Sequence, residues 1–187
     1  KEMSDMEKKL EELAKEQEEL SEDTEKGAKS DEQLKKEQEE LNKEFEELQE
    51  KMDELKEKNE ELQSPMEMDE LSEQSEDVKK EQENSSQELQ KGDKKKASKS
   101  QKKAAQKMKD MKNSMNMMMQ SAQMEQMQED IESLRQLLEN LVTLSFEQEA
   151  LMDKMQSTQI NTPTYVSQVQ EQFKIQDDFK LVEDSLV

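Results

Sequence analysis

A 3,4 spacing of apolar residues between Met3 and Leu62 constrains this chain more than any other feature. Stepping by three and four in turn, the frame visits Met3, Met6, Leu10, Leu13, Gln17, Leu20, Thr24, Gly27, Asp31, Leu34, Gln38, Leu41, Phe45, Leu48, Met52, Leu55, Asn59 and Leu62. Twelve of those 18 positions are apolar, whereas Ala14 and Ala28 are the only apolar residues among the other 42 in the span. A mean period of 3.5 residues is the seam along which α-helices lie side by side, so residues 1–63 predict a coiled-coil region. Composition alone would predict disorder, since 41% of the 187 residues are charged and the mean hydropathy is −1.33. Sorting of the apolar side chains onto one stripe decides for helix.

The frame contains a short duplication. Lys15-Glu16-Gln17-Glu18-Glu19-Leu20 recurs 21 residues later as Lys36-Glu37-Gln38-Glu39-Glu40-Leu41, which is three heptads. Leucine dominates the d positions, while Gln17, Thr24, Asp31, Gln38 and Asn59 make several a positions polar. That mixture favours few-stranded assemblies of limited stability. A parallel in-register homodimer would set Glu2 against Glu7 and Lys51 against Lys56, with no opposite charges elsewhere to compensate, so it is disfavoured. An antiparallel pairing within the chain or a different partner helix fits better. Gly27 as a C′ residue and Ser30-Asp31-Glu32-Gln33 as a capping box support a break at 27–30. The unbroken phase across those residues supports a continuous helix instead; both readings stand, with the hairpin preferred.

Ser64-Pro65 should end the second helix, with 64–69 as a link. Residues 70–91 read as a polar helix in which Leu71, Val78 and Leu89 are nearly the only apolar side chains, and Gly92-Asp93 as a cap or local break. Ten lysines then crowd residues 91–112 against Asp93 and Asp110, inside a chain whose formal charge is −21. The simplest use of this Lys-rich helix (92–114) is to lie against acidic helices of the same protein. The alternative is a binding module for anionic ligands or a membrane surface, through Lys94, Lys95, Lys96, Lys102 and Lys103. Lysine without arginine or stacking aromatics is a poor reader of nucleic acid.

Eight of the 15 methionines fall between Met108 and Met127. Met108, Met111, Met115 and Met118 keep the 3,4 spacing and predict a pliable packing face, or a groove for partner helices. Thioether capture of Cu(I) lacks the Cys or His that normally joins such a site. Residues 115–157 read as a Met/Leu-rich core helix. Ile131, Leu134, Leu137, Leu138, Leu141, Val142, Leu144, Phe146, Leu151, Met152 and Met155 cover more than one seam, which predicts burial on two faces in a bundle of three or more helices. Leu134, Leu137, Leu138 and Leu141 join the four methionines as candidate interaction residues. A turn follows at 158–163, where Thr162-Pro163 is an N-cap and first-turn pair, and then a C-terminal amphipathic helix, 164–187, reaching Leu186.

With no His, no Cys and only Gly27 and Gly92 as glycines, the chain has no imidazole base, thiolate, ordinary zinc site or phosphate-cradling glycine loop. The expectation is therefore no enzyme, no cofactor and no metal. No stretch approaches the roughly 20 apolar residues of a membrane span. The start at Lys1 and the apolar pattern running into Val187 lead us to expect a piece of a longer protein.

Three stretches carry a resemblance: Lys91 to Ala104 (KGDKKKASKSQKKA), Leu134 to Leu141 (LRQLLENL) and Asp177 to Leu186 (DDFKLVEDSL). They resemble a family of large membrane-anchored proteins of unknown function, found chiefly in Bacteroidetes-type bacteria. The resemblance implies an internal piece of such a protein, on its envelope side, with transmembrane helices elsewhere and no catalytic residues to carry over. A cytoplasmic location is the alternative. The residues themselves predict an all-α fold, elongated, made of coiled-coil or long antiparallel helices with a C-terminal helical hairpin or bundle. The expected function is that of a non-catalytic spacer and docking surface for helices of this chain or of a partner.

Overall fold

The computed structural model describes residues 2–62 and 65–185. Ser64, where the second helix was expected to stop, and Leu186, the last apolar residue of the predicted C-terminal helix, lie outside the described residues. The fold is all-α. Its helices are α1 (Glu2–Lys26), α2 (Asp31–Glu60), α3 (Asp69–Gln90), α4 (Lys94–Gln156) and α5 (Pro163–Asp184), with no strand among the described residues. The chain forms two compact units, Lys1–Gln123 and Met124–Val187.

Local chemistry sets the breaks in the first unit. Gly27 takes φ 64°, the left-handed conformation that costs a Cβ-bearing residue free energy, and the Ala28 N–H closes back on the Asp23 carbonyl at 3.0 Å. Ser30 then caps α2: its hydroxyl accepts from the Gln33 N–H while the Gln33 side chain accepts from the Ser30 N–H. The same device recurs at Gly92, with φ 76° and the Asp93 N–H on the Glu88 carbonyl at 2.9 Å. Asp93 begins α4 by accepting from the Lys96 N–H. Between α2 and α3, the buried Asn59 side chain donates to the Met66 carbonyl at 2.7 Å and accepts from its N–H at 2.9 Å.

Side-chain contacts fix the directions. Lys9 meets Glu44 and Gln17 meets Gln38, so α1 and α2 run antiparallel. Asn42 to Ser86 and Gln49 to Glu76 do the same for α2 and α3. Lys103 with Glu81 and Lys107 with Asp77 set α4 antiparallel to α3, and Lys102 with Glu25 and Lys109 with Glu18 set it antiparallel to α1. Each helix buries one 3,4 stripe. In α1 and α2 it runs through Met3, Leu10, Leu13, Leu34, Leu41, Phe45 and Met52; in α3 and α4, through Leu71, Val78, Leu89, Ala97, Met108, Met111 and Met115. Full burial of one such large aliphatic side chain stabilises by about 1.5–3 kcal/mol, so this stripe, not surface charge, holds the unit together.

Several boundaries differ from the sequence reading. Pro163, assigned to the turn, begins α5. Asp69, assigned to the link, is the first residue of α3. The division between a Lys-rich helix ending at 114 and a Met/Leu-rich one starting at 115 does not exist, because α4 passes through both without interruption. Composition changes there, but no Gly, Pro or capping residue stops the backbone ladder.

The C-terminal unit is simpler. Thr162 caps α5 by accepting from the Tyr165 N–H at 3.2 Å, and Pro163 occupies the first turn, where its missing N–H costs nothing. Asn161, at φ 69°, turns the chain into that cap. Leu144, Leu151, Ile175 and Val182 form its buried core, with Leu137, Leu141 and Met155 half-buried beside them. The predicted burial on two faces does not occur: Ile131, Leu134, Leu138, Val142, Phe146 and Met152 are all more than half exposed. Only α5 packs against this part of α4 among the described residues of the unit, and one neighbour covers one face.

Candidate functional site

Two apolar seams run along the second half of α4. The first passes through Leu137, Leu141, Leu144, Gln148, Leu151 and Met155, spaced four and three alternately. It faces α5. There Gln148 and Gln172 exchange side-chain hydrogen bonds at 2.9 and 2.8 Å, Lys154 approaches Glu171 at 3.9 Å, and Ile175 and Val182 fill the apolar positions. The second seam passes through Met127, Ile131, Leu134, Leu138 and Leu141 with the same spacing. Leu141 belongs to both, so the seams share one column of the helix and part at Leu137 and Leu138, which stand about 100° apart round it. Ile131 is 62% exposed and Leu138 61%, beside Val142 and, at 67%, Phe146. Exposed large apolar side chains gathered on one side of a helix make this face a candidate interaction surface, which singly scattered ones would not.

A groove of about 710 Å³ opens on the same side between α4 and α5, lined by Leu141, Leu144, Ser145, Gln148, Ile175 and Phe179. Phe173, also exposed, follows on the α5 face one turn before Gln176, another residue of the groove wall. Charge around this surface is one-sided. Residues 124–187 carry 13 acidic side chains and four basic ones. Glu132, Glu139, Glu149 and Asp153 of α4 are exposed, and Arg135, the only base from 124 to 153, sits 3.8 Å from Glu132. Lys180 and Glu183 line the α5 wall together.

The sequence-predicted interaction residues separate into two groups. Leu134 and Leu138 lie on the open seam, and Leu137 and Leu141 are half-buried toward α5. Met108, Met111 and Met115 expose no surface, and Met118 is half-buried against the same core, so they form a packing face within the chain. As a groove for outside helices this stripe is already filled, because α1, α2 and α3 of the same chain lie on it. The thioethers adapt to a core built of unlike side chains.

Four of the five lysines predicted as anion contacts are engaged within the chain. Lys94 pairs with Asp31 at 2.7 Å, Lys96 with Asp93 at 3.0 Å, Lys102 with Glu25 at 2.7 Å and Lys103 with Glu81 at 3.3 Å. Lys109 and Lys112 continue along α1, to Glu18 and Glu11. Hydrogen bonds from these lysines hold the carboxyls of Asp31 and Glu25 below their ordinary range, and Lys107 does the same to Asp77. Lys95 has no ion-pair partner among the described residues. Most of the pairs are exposed and screened by salt, so they choose which helix lies beside which more than they stabilise.

Sequence reasoning placed Gln17 and Gln38 on the seam but missed the buried polar layer they form with Gln82 and Gln101. Gln17, Gln38, Gln82 and Gln101, one from each helix of the first unit, are essentially inaccessible to solvent together with Ser85. The Gln38 side-chain oxygen accepts from Gln17 at 3.0 Å, Ser85 at 2.8 Å and Gln101 at 3.0 Å. The signal was present in the 21-residue duplication that places Gln17 and Gln38 at equivalent positions.

Comparison with protein-family models, curated proteins and solved structures finds no match. No group of His, Cys, Asp or Glu side chains among the described residues is arranged to hold a metal ion. No helix among them is long and apolar enough to cross a membrane.

Proposed function

We propose that this chain is a non-catalytic helical interaction segment, a spacer and docking surface acting by coiled-coil packing within a larger membrane-anchored protein, on its envelope side. The first unit serves as the closed brace. The second presents helix to a partner. The observation that carries this reading is the pair of seams on α4, one filled by α5 and one bearing Ile131, Leu134 and Leu138 in the open. A helix laid on that seam would bury apolar surface at 3,4 spacing, which is the helix-in-groove mode of recognition. The engaged lysines weigh against anion binding as the main role.

A photo-crosslinking residue placed at Leu134 or Leu138 of the full-length protein in its cell tests the proposal. Adducts mapped at peptide level should fall on one helical segment with 3,4 apolar spacing. The same probe at Met111 should crosslink only to α1, α2 or α3. Adducts scattered over unrelated sequences, or none at 134 and 138, would contradict a docking role.

A further inference from the structure

We infer that the occupant of the open seam is a basic amphipathic helix, with lysines or arginines flanking an apolar 3,4 stripe. The inference rests on the docking reading above and adds the partner's chemistry. Two observations carry it. The first is charge: Glu132, Glu139, Glu149 and Asp153 stand exposed on α4, where Arg135 is the one basic residue from 124 to 153 and lies 3.8 Å from Glu132. A second copy of the chain would bring the same excess of acid to face itself, which like-charge repulsion opposes.

The second observation is that the chain already solves the same problem once. In the first unit, the acidic helices α1 and α3 are covered by the stretch of α4 that sets Ala97, Ala104, Met108 and Met111 inward. Its lysines reach outward to Glu25, Glu18 and Glu11 on one flank and to Glu81 and Asp77 on the other. Apolar contact supplies the affinity there, and the flanking lysines select acidic neighbours. The α4–α5 pair of the second unit is acidic and apolar in the same way, but no such cover lies on it among the described residues of that unit. Residues 127 to 152 span about 37 Å of helix, the length of a partner of about 25 residues.

The test uses the full chain and two synthetic peptides of that length, identical in a leucine 3,4 stripe, one flanked by lysine and the other by glutamate. Fluorescence anisotropy should show the lysine peptide binding one per chain, at least tenfold more tightly than the glutamate peptide, and weakening with salt. Leu134→Asp with Leu138→Asp should abolish binding. These substitutions make the chain more acidic, so a merely Coulombic association would survive or strengthen, and that result overturns the inference. Both substituted residues are exposed, and unchanged circular dichroism checks that the fold persists. Equal affinity for the two peptides would sink the charge preference while leaving helix docking intact. Failure of both peptides to bind would count against docking itself. A dimer that sediments more strongly as salt rises, and that Leu138→Asp dissolves, would assign the seam to a second copy and overturn the basic partner.

Discussion

Gln17 and Gln38 exchange two side-chain hydrogen bonds, each 3.0 Å long, at the centre of a helical core that excludes solvent from both. Their Cα atoms belong to helices running in opposite directions, so the pair forms only when α1 and α2 align in one register. Gln38→Leu removes the acceptor that Gln17, Ser85 and Gln101 share. Leaving such groups buried and unpaired costs about 1–3 kcal/mol, which urea unfolding should read as a lower midpoint at unchanged slope. Leucine at Gln17, Gln38, Gln82 and Gln101 together should raise the midpoint yet broaden the spin-label distance distribution between α1 and α2, as register specification is lost. A single sharp distance in that variant would show that the apolar positions set the register unaided.

Phe45, 1% exposed, is the largest fully buried side chain of the first unit. Phe45→Ala should cost about 3–5 kcal/mol, from lost transfer free energy and the cavity left behind. Phe146→Ala, at a residue open to solvent, should leave the unfolding midpoint within experimental scatter. Denaturant titration of the two variants checks the contrast.

The ion pair between Lys102 and Glu25 predicts a defined pH window. Its hydrogen bond lowers the Glu25 carboxyl and raises the Lys102 ammonium relative to their ordinary values. A carboxyl lowered on folding contributes stability above its unfolded value and loses it as pH falls below roughly 4. A raised lysine contributes below its unfolded value and loses it as pH climbs beyond roughly 10.4. A double-mutant cycle with Glu25→Gln and Lys102→Gln should therefore give a coupling at pH 7 that disappears at both extremes. Thermal unfolding by circular dichroism measures it. A coupling independent of pH would show that the side chains interact through packing alone.

Oxidation distinguishes the two fates of methionine. Met117, Met124, Met127 and Met152 are more than half exposed, whereas Met108, Met111 and Met115 show no surface at all. Dilute peroxide should convert the first group to sulfoxide well before the second. Mass spectrometry of proteolytic peptides gives the order directly. Early oxidation of Met111 would mean that the helices around it do not close.

Much of the first unit was legible because a 3.5-residue period is a geometric instruction. Gln17, Thr24, Gln38 and Asn59 obeyed it although polar, and all four are buried. Gly27, in the turn, and Asp31, the first residue of α2, kept the phase but are exposed where the two helices end. The seam of α3 was harder to see. Leu71, Ser75, Val78, Gln82, Ser85 and Leu89 continue the 4,3 rhythm, but half are small or polar and hydrophobicity alone passes over them. At the candidate site the error ran the other way. Apolar content from Ile131 to Met155 predicted burial on two faces, but only the face toward α5 is buried, because a count of apolar residues does not specify how many helices are at hand to cover them.

The most direct test of the account is hydrogen–deuterium exchange along α4, in the isolated chain at low concentration. One helix carries a closed seam in its first part and an open one in its second. Amides from Ala97 to Met115, enclosed by α1, α2 and α3, should exchange orders of magnitude more slowly than those from Met124 to Leu138. Equal protection along the whole helix, or faster exchange in the methionine stripe, would contradict it.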